Sequence, residues 1–138
     1  MLVTVVIPAR EWDTFLENTL ATLAAQRLPA DVTLEVVVGL ARVPPNDLPP
    51  GVRTVPNQSG TIPDALNAAI AASTGEVIVR VDARCHVQPD HIVRVLRGLG
   101  DPSVGCVGGA ALVLDRGLFG STYAIAFNSA LLGPTVYR

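Results

Sequence analysis

Three ionisable side chains, Asp82, Arg84 and His86, fall within five residues of one another and directly follow an apolar run. Within that run, Glu76 to Val81, the residues Val77, Ile78, Val79 and Val81 read as a strand buried on both faces, as a parallel sheet requires. Pro89 then opens a helix, with Asp90 in its first turn. Ligands of open α/β sheets bind just past the carboxyl ends of the strands. A carboxylate, a guanidinium and an imidazole at that place could meet a ligand or a metal; the competing reading is that Asp82 only caps the next turn. Similar groups follow the other strand-like runs: Arg10 and Glu11 after the first, Arg42 after the second. In a parallel sheet these ends share one edge. Arginines and an acid along it suit a phosphate-bearing ligand, with or without a divalent metal, against the alternative that each arginine is simply solvated.

The elements that would position these groups are legible in the pattern. Leu2 to Ile7 is a β-branched run and reads as a central strand. Helical spacing follows, with Trp12, Phe15, Leu16, Leu20 and Leu23 on one face and Thr14 with Glu17 fitting a capping box, or a start a residue or two earlier. Val32 to Leu40 reads as the second strand. The connection after it, ARVPPNDLPPG, holds four prolines and excludes a helix interior. Val52 to Val55 is a short third strand, and Asn57, Ser59 and Gly60 mark a turn. A second helix starts at Thr61, with Ile62, Ala65, Leu66, Ala69 and Ile70 inward and Gly75 as its C-cap. The strand over Glu76 to Val81 follows, then a helix over Pro89 to Leu99. A glycine-interrupted strand over Val104 to Leu114 and a last helix over Leu118 to Leu132 complete the series. Alternation of this kind implies an α/β fold: a mostly parallel twisted sheet flanked by helices, in one domain spanning residues 1–138.

Composition narrows the function classes. Net charge is −2, with ten arginines and no lysine, so no nucleic-acid footprint is expected. No dinucleotide fingerprint, P-loop or nucleophile elbow is present. Cys85 and Cys106, the only cysteines, have no metal-site spacing and read as reduced thiols of a cytoplasmic protein. The uncharged stretch 117–137 is diluted by glycine, serine, asparagine and proline. It reads as a buried or membrane-apposed helix rather than a span, and as a surface for peripheral contact with the inner face of the cell membrane or for a homodimer.

The segments VTVVIPARE, SGTIPDALNAAIAASTGEVIVRVDARCHVQPDHI and VGCVGGA, with the ending AIAFNSALLGPTVYR, resemble inverting family 2 glycosyltransferases. Within that family they resemble the enzymes of succinoglycan-type exopolysaccharide synthesis. The resemblance implies the Rossmann-like GT-A fold, here its N-terminal donor-binding portion. It also implies hexosyl transfer from a nucleotide-diphosphate sugar to a glycan or lipid-linked acceptor. It assigns Pro8, Ala9, Arg10 and Glu11 to the base and ribose, Asn67 of the Ala65-Leu66-Asn67 segment to the surroundings of the nucleotide, and Asp82-Ala83-Arg84 to the DxD motif. That motif holds Mg²⁺ or Mn²⁺ in the family.

The chain departs from the family at three places. After the second strand, where the family carries an acidic pair, it has Gly39-Leu40-Ala41-Arg42. At the second acid of DxD it has Arg84, a cation that would repel a metal but could itself grip a diphosphate. The general base belongs to an acceptor-binding half expected after Arg138, and lack of such a base removes roughly 10²–10⁴ in rate. Asp82 is then a lone metal ligand, helped by His86, or an acceptor for a donor-sugar hydroxyl. The alternatives are a nucleotide-binding or partner-binding module without catalysis.

Overall fold

The computed structural model describes residues 1–109. The opening β-branched run forms β1 (Leu2–Ala9), buried from Val3 to Ala9. It is followed by α1 (Thr14–Ala24), β2 (Thr33–Leu40), β3 (Val52–Pro56), α2 (Ile62–Ala72), β4 (Val77–Arg80) and α3 (His91–Gly98). Among the described residues the four strands make one parallel sheet in the order β3-β2-β1-β4. The expected α/β class and the central place of the first strand are therefore observed.

Alternation along β1 sends side chains to two faces. Val3, Val5, Ile7 and Ala9 join Val36, Val38, Leu40, Val79 and Val81 against Leu16, Leu20 and Leu23 of α1 and Ile92 of α3. Each fully buried leucine here stabilises the fold by roughly 1.5–3 kcal/mol. The opposite face carries a smaller core of Val6, Val37 and Ala69, closed by α2. At the N-terminal end of the strands this second face is polar. Glu35 accepts from Thr4 Oγ1 (2.5 Å) and from the Thr74 N–H and Oγ1 (both 2.9 Å), and faces Arg53.

Several expectations are corrected. Asp13, not Thr14, caps α1: its Oδ1 accepts from the Leu16 N–H at 2.9 Å. Phe15 is 48% exposed, because it lies about 100° around the helix from the Leu16 stripe. On α2, Ile62 and Ile70 are exposed while Ala65 and Ala69 are buried. The cause is Gly39: a Cβ there would lie 2.8 Å from the carbonyl carbon of Ala65, so the helix backbone rests directly on the sheet. Only alanines fit that seam, and the larger isoleucines sit on its flanks.

Gly75 is not the helix cap; Ser73 is. Gly75 instead lets the chain pass close to β1, since a Cβ would lie 2.6 Å from Thr4 Oγ1. The strand β4 is not buried on both faces. Val79 and Val81 are buried, but Ile78 is 45% exposed and Arg80 is exposed. Among the described residues β4 pairs only with β1, and α2 packs over β1, β2 and β3 instead.

The chain folds as two compact units, Met1–Arg97 and Gly98–Arg138. The third helix begins at His91, two residues past Pro89. In the second unit Asp101 Oδ1 accepts from the Ser103 N–H (2.9 Å) and Oγ (2.7 Å), fixing a turn. Residues 104–109 then run without a strand, in keeping with the entropic cost of Gly105, Gly108 and Gly109 in an extended ladder. The rest of the expected fifth strand, the Leu118 to Leu132 helix and the 117–137 apolar stretch lie outside the described residues. Among those described, no helix is long and apolar enough to cross a membrane.

Candidate functional site

Register brings three strand ends together. Ala9 ends β1 level with Leu40 of β2, and the Ala41 N–H reaches the Ala9 carbonyl at 3.2 Å. On the other side the Val81 N–H donates to the Val6 carbonyl at 3.1 Å, carrying β4 past its last ladder pair. The loop between β1 and α1 then bridges both neighbours. Glu11 Oε2 lies 4.0 Å from Arg42 Nε at the end of β2. Asp13 Oδ2 lies 3.6 Å from Arg84 Nη2 beyond the end of β4. One Asp13 carboxylate thus caps a helix and holds a guanidinium. Arg84 also stacks over Phe15, 4.6 Å from the ring centroid. Exposed pairs of this kind add little stability, on the order of 0–1 kcal/mol; what they do is place the groups.

Of the residues singled out in the sequence, Arg10, Glu11, Arg42, Asp82, Arg84 and His86 are exposed at this edge. Pro8 and Ala9 are buried in β1. Ala83 is packed against the core. Asn67 is exposed on α2, two positions past the Ala65 seam, and is not drawn into the ion-pair bridge.

What holds the loop after β4 was not read from the sequence. Thr19 and Thr22 of α1, with Gln26 just past its C-cap, are polar groups at i, i+3 and i+7. Thr19 Oγ1 lies 3.0 Å from the Ala83 carbonyl and 2.9 Å from that of Cys85, sharing its one proton with these and with the Phe15 carbonyl. Thr22 Oγ1 accepts from the Val87 N–H at 3.2 Å. Gln26 donates to the Gln88 carbonyl at 2.7 Å and accepts from the Ile92 N–H at 3.2 Å. At the loop's end the Arg94 guanidinium donates to Asp90 at 2.8 Å and holds that carboxyl below its usual range. The available signal was the helical spacing of three polar residues inside an otherwise apolar stripe.

At the end of β4 the Asp82 carboxylate is engaged by one guanidinium, that of Arg80. Arg80 Nε and Nη2 both donate to Asp82 Oδ1, at 3.2 and 3.0 Å. The nearby acid Asp13 is already paired with Arg84. Among the described residues no three His, Cys, Asp or Glu side chains gather as metal ligands do. A hard divalent cation takes about six or more oxygen ligands, and Asp82, engaged by Arg80, supplies one carboxylate toward such a set.

Beside this edge, at the ends of β2 and β3, is a cavity of about 380 Å³, lined by Leu40 to Pro44 on one side and Thr54 to Gln58 on the other. Its floor is fixed by buried Asn57, whose N–H donates to the Leu40 carbonyl (2.8 Å) and whose Nδ2 donates to the Thr61 carbonyl (3.0 Å). A larger cleft of about 670 Å³ runs along α1 beneath the proline-rich connection. It exists because β2 passes to β3 without the helix that usually covers a parallel crossover. It shares only Trp12 and Glu17 with the surroundings of the ion-pair bridge.

Comparison with known proteins agrees with this architecture. The crystal structure of S. aureus TarS 1–349 superposes with a TM-score of 0.59 at 16% identity, covering 84% of this chain and 40% of that one. The shared fold is the Rossmann-like GT-A arrangement, and the chain spans less than half the length of that neighbour. No curated protein matches the chain. The sequence profile of Glycosyl transferase family 2 matches from residue 4 to residue 133, and on that match the chain belongs to glycosyl transferase family 2.

Proposed function

We propose that the C-terminal edge of the sheet binds a nucleotide-diphosphate sugar for inverting transfer to a glycan acceptor, in the synthesis of an exopolysaccharide or another cell-envelope polymer. The observation that carries this reading is the pair of ionic contacts, Glu11 with Arg42 and Asp13 with Arg84, that ties the exit of β1 to the ends of β2 and β4. They hold Arg42 and Arg84, both exposed, where ligands of parallel sheets bind, and Arg80 of β4 is exposed as well. Arg84 offers one edge of its guanidinium to Asp13 and keeps further N–H donors for a diphosphate, a geometry that arginine supplies in bidentate form. Guanidinium charge thus takes the place of a metal. Asp82 Oδ1 is engaged by Arg80; Oδ2 accepts from a hydroxyl of the donor sugar. The acceptor and the general base are supplied from outside the described residues.

Calorimetric titration with UDP and GDP, in Mn²⁺ and again in EDTA, tests this. The expected result is binding that changes less than about two-fold with metal. Arg84→Ala should weaken it by roughly 10-fold or more, the worth of a charge-assisted hydrogen bond. Asp82→Ala should weaken the nucleotide sugar more than the free diphosphate. Strong metal dependence, or an Arg84→Ala variant that binds as wild type, would overturn the assignment.

A further inference from the structure

We infer that the cavity at the ends of β2 and β3 selects guanine as the base of the donor; the inference rests on the donor-site reading above and specifies its substrate. Two observations carry it. The cavity lining includes the apolar Val43 and Pro44 after β2 and Val55 and Pro56 of β3, groups on which a flat ring can lie. The charged group within that lining is Arg42, which shares it with the neutral polar Thr54, Asn57 and Gln58, and Glu11 of the loop after β1 stands 4.0 Å from Arg42. The cavity therefore presents a fork of donors with a fork of acceptors directly beside it.

The bases differ in how their edges meet such a pair. Guanine shows two adjacent acceptors, N7 and O6, followed by two adjacent donors, N1–H and the N2 amino group. Arginine pairs bidentately with N7 and O6, and a carboxylate completes the edge by accepting from N1–H and N2–H. Uracil alternates acceptor, donor, acceptor, so a guanidinium placed on one oxygen is turned toward N3–H. Adenine alternates in the same way across N7, N6 and N1. Cytosine offers two acceptors but a single amino group beyond them, and fills the pair only in part. The distance also suits the whole ligand. The strands β2 and β4 are two steps apart in the sheet, about 10 Å at the usual strand spacing, which a ribose and diphosphate can bridge from the base slot to Arg84.

The test is titration of GDP, UDP, CDP and ADP into the chain and into Arg42→Leu and Glu11→Gln variants. Both side chains are exposed, so circular dichroism should show the variants folded as wild type. GDP should bind more tightly than UDP by roughly 5- to 150-fold, the range a bidentate arginine–guanine contact discriminates. Arg42→Leu should bring GDP down to the affinity of UDP, lowering GDP by several-fold more than it lowers UDP. Glu11→Gln should lower GDP more than it lowers UDP. If UDP, CDP or ADP binds as tightly as GDP, or if Arg42→Leu weakens all four equally, the guanine assignment is wrong while the donor site stands. If none of the four binds, the donor site itself is wrong and the guanine assignment falls with it.

Discussion

Replacing Glu35 with glutamine removes a charge from the most densely bonded side chain of the sheet and leaves its shape. Glu35 Oε1 collects Thr4 Oγ1, the Thr74 N–H and the Thr74 Oγ1, and Oε2 faces Arg53 Nη2 at 3.4 Å. Burial pushes this carboxyl up, but those hydrogen bonds, with the Arg53 charge, outweigh it and hold the group down at about 2, against an ordinary 4.5. A depression of that size corresponds to roughly 3 kcal/mol of folding stability once the group is ionised. Solvent screening at the end of the strands reduces this to on the order of 1–2 kcal/mol. Because the folded carboxyl is the stronger acid, its contribution is complete above pH 4.5 and is lost as pH falls toward 2. Glu35→Gln should therefore unfold about 1–2 kcal/mol more easily in urea at pH 7, followed by circular dichroism. The gap from wild type should narrow between pH 4.5 and pH 2. A variant as stable as wild type at pH 7, or a gap of constant size down to pH 2, would refute the reasoning.

Two further substitutions probe the packing that positions the site. Gly39→Ala should destabilise by about 1–3 kcal/mol in a thermal melt, because its Cβ would sit 2.9 Å from the Ala65 Cα and force α2 off the sheet; an unchanged melting temperature would contradict that contact. Thr19→Val deprives the part-buried carbonyls of Phe15, Ala83 and Cys85 of their shared proton. It should cost about 1–3 kcal/mol and speed amide exchange between residues 82 and 88. Unaltered exchange there would mean that these polar groups do not hold the loop.

Much of this architecture follows from local pattern, and the exceptions have a common cause. Strands announce themselves as β-branched runs, so β1 and β2 fall within a residue or two of where Leu2 to Ile7 and Val32 to Leu40 place them. Periodicity locates α2 but does not say how closely it rests on the sheet; that depends on the missing Cβ of Gly39, 26 residues away in sequence from Ala65. Hence Ile62 and Ile70, placed inward by spacing, are exposed. The apolar run of β4 suggested burial on both faces, yet burial depends on what packs there, and Ile78 shows that one face is open. At the site, the order Asp82, Arg84, His86 was legible as chemistry at a strand end. Its partners were not: Asp13 meets Arg84 across 71 positions, and Arg80 meets Asp82 only because alternate strand residues share a face. The Asp13–Arg84 pairing is a property of the tertiary fold, which no local window of sequence contains.

The central claim is that a nucleotide-diphosphate donor rests on the C-terminal edge of the sheet. Amide chemical shifts followed during titration with a nucleoside diphosphate test it most directly. The account predicts perturbations gathered at residues 9–13, 41–44 and 82–87. Perturbations gathered instead at the opposite edge, around Met1, Thr33 and Glu76, would contradict it.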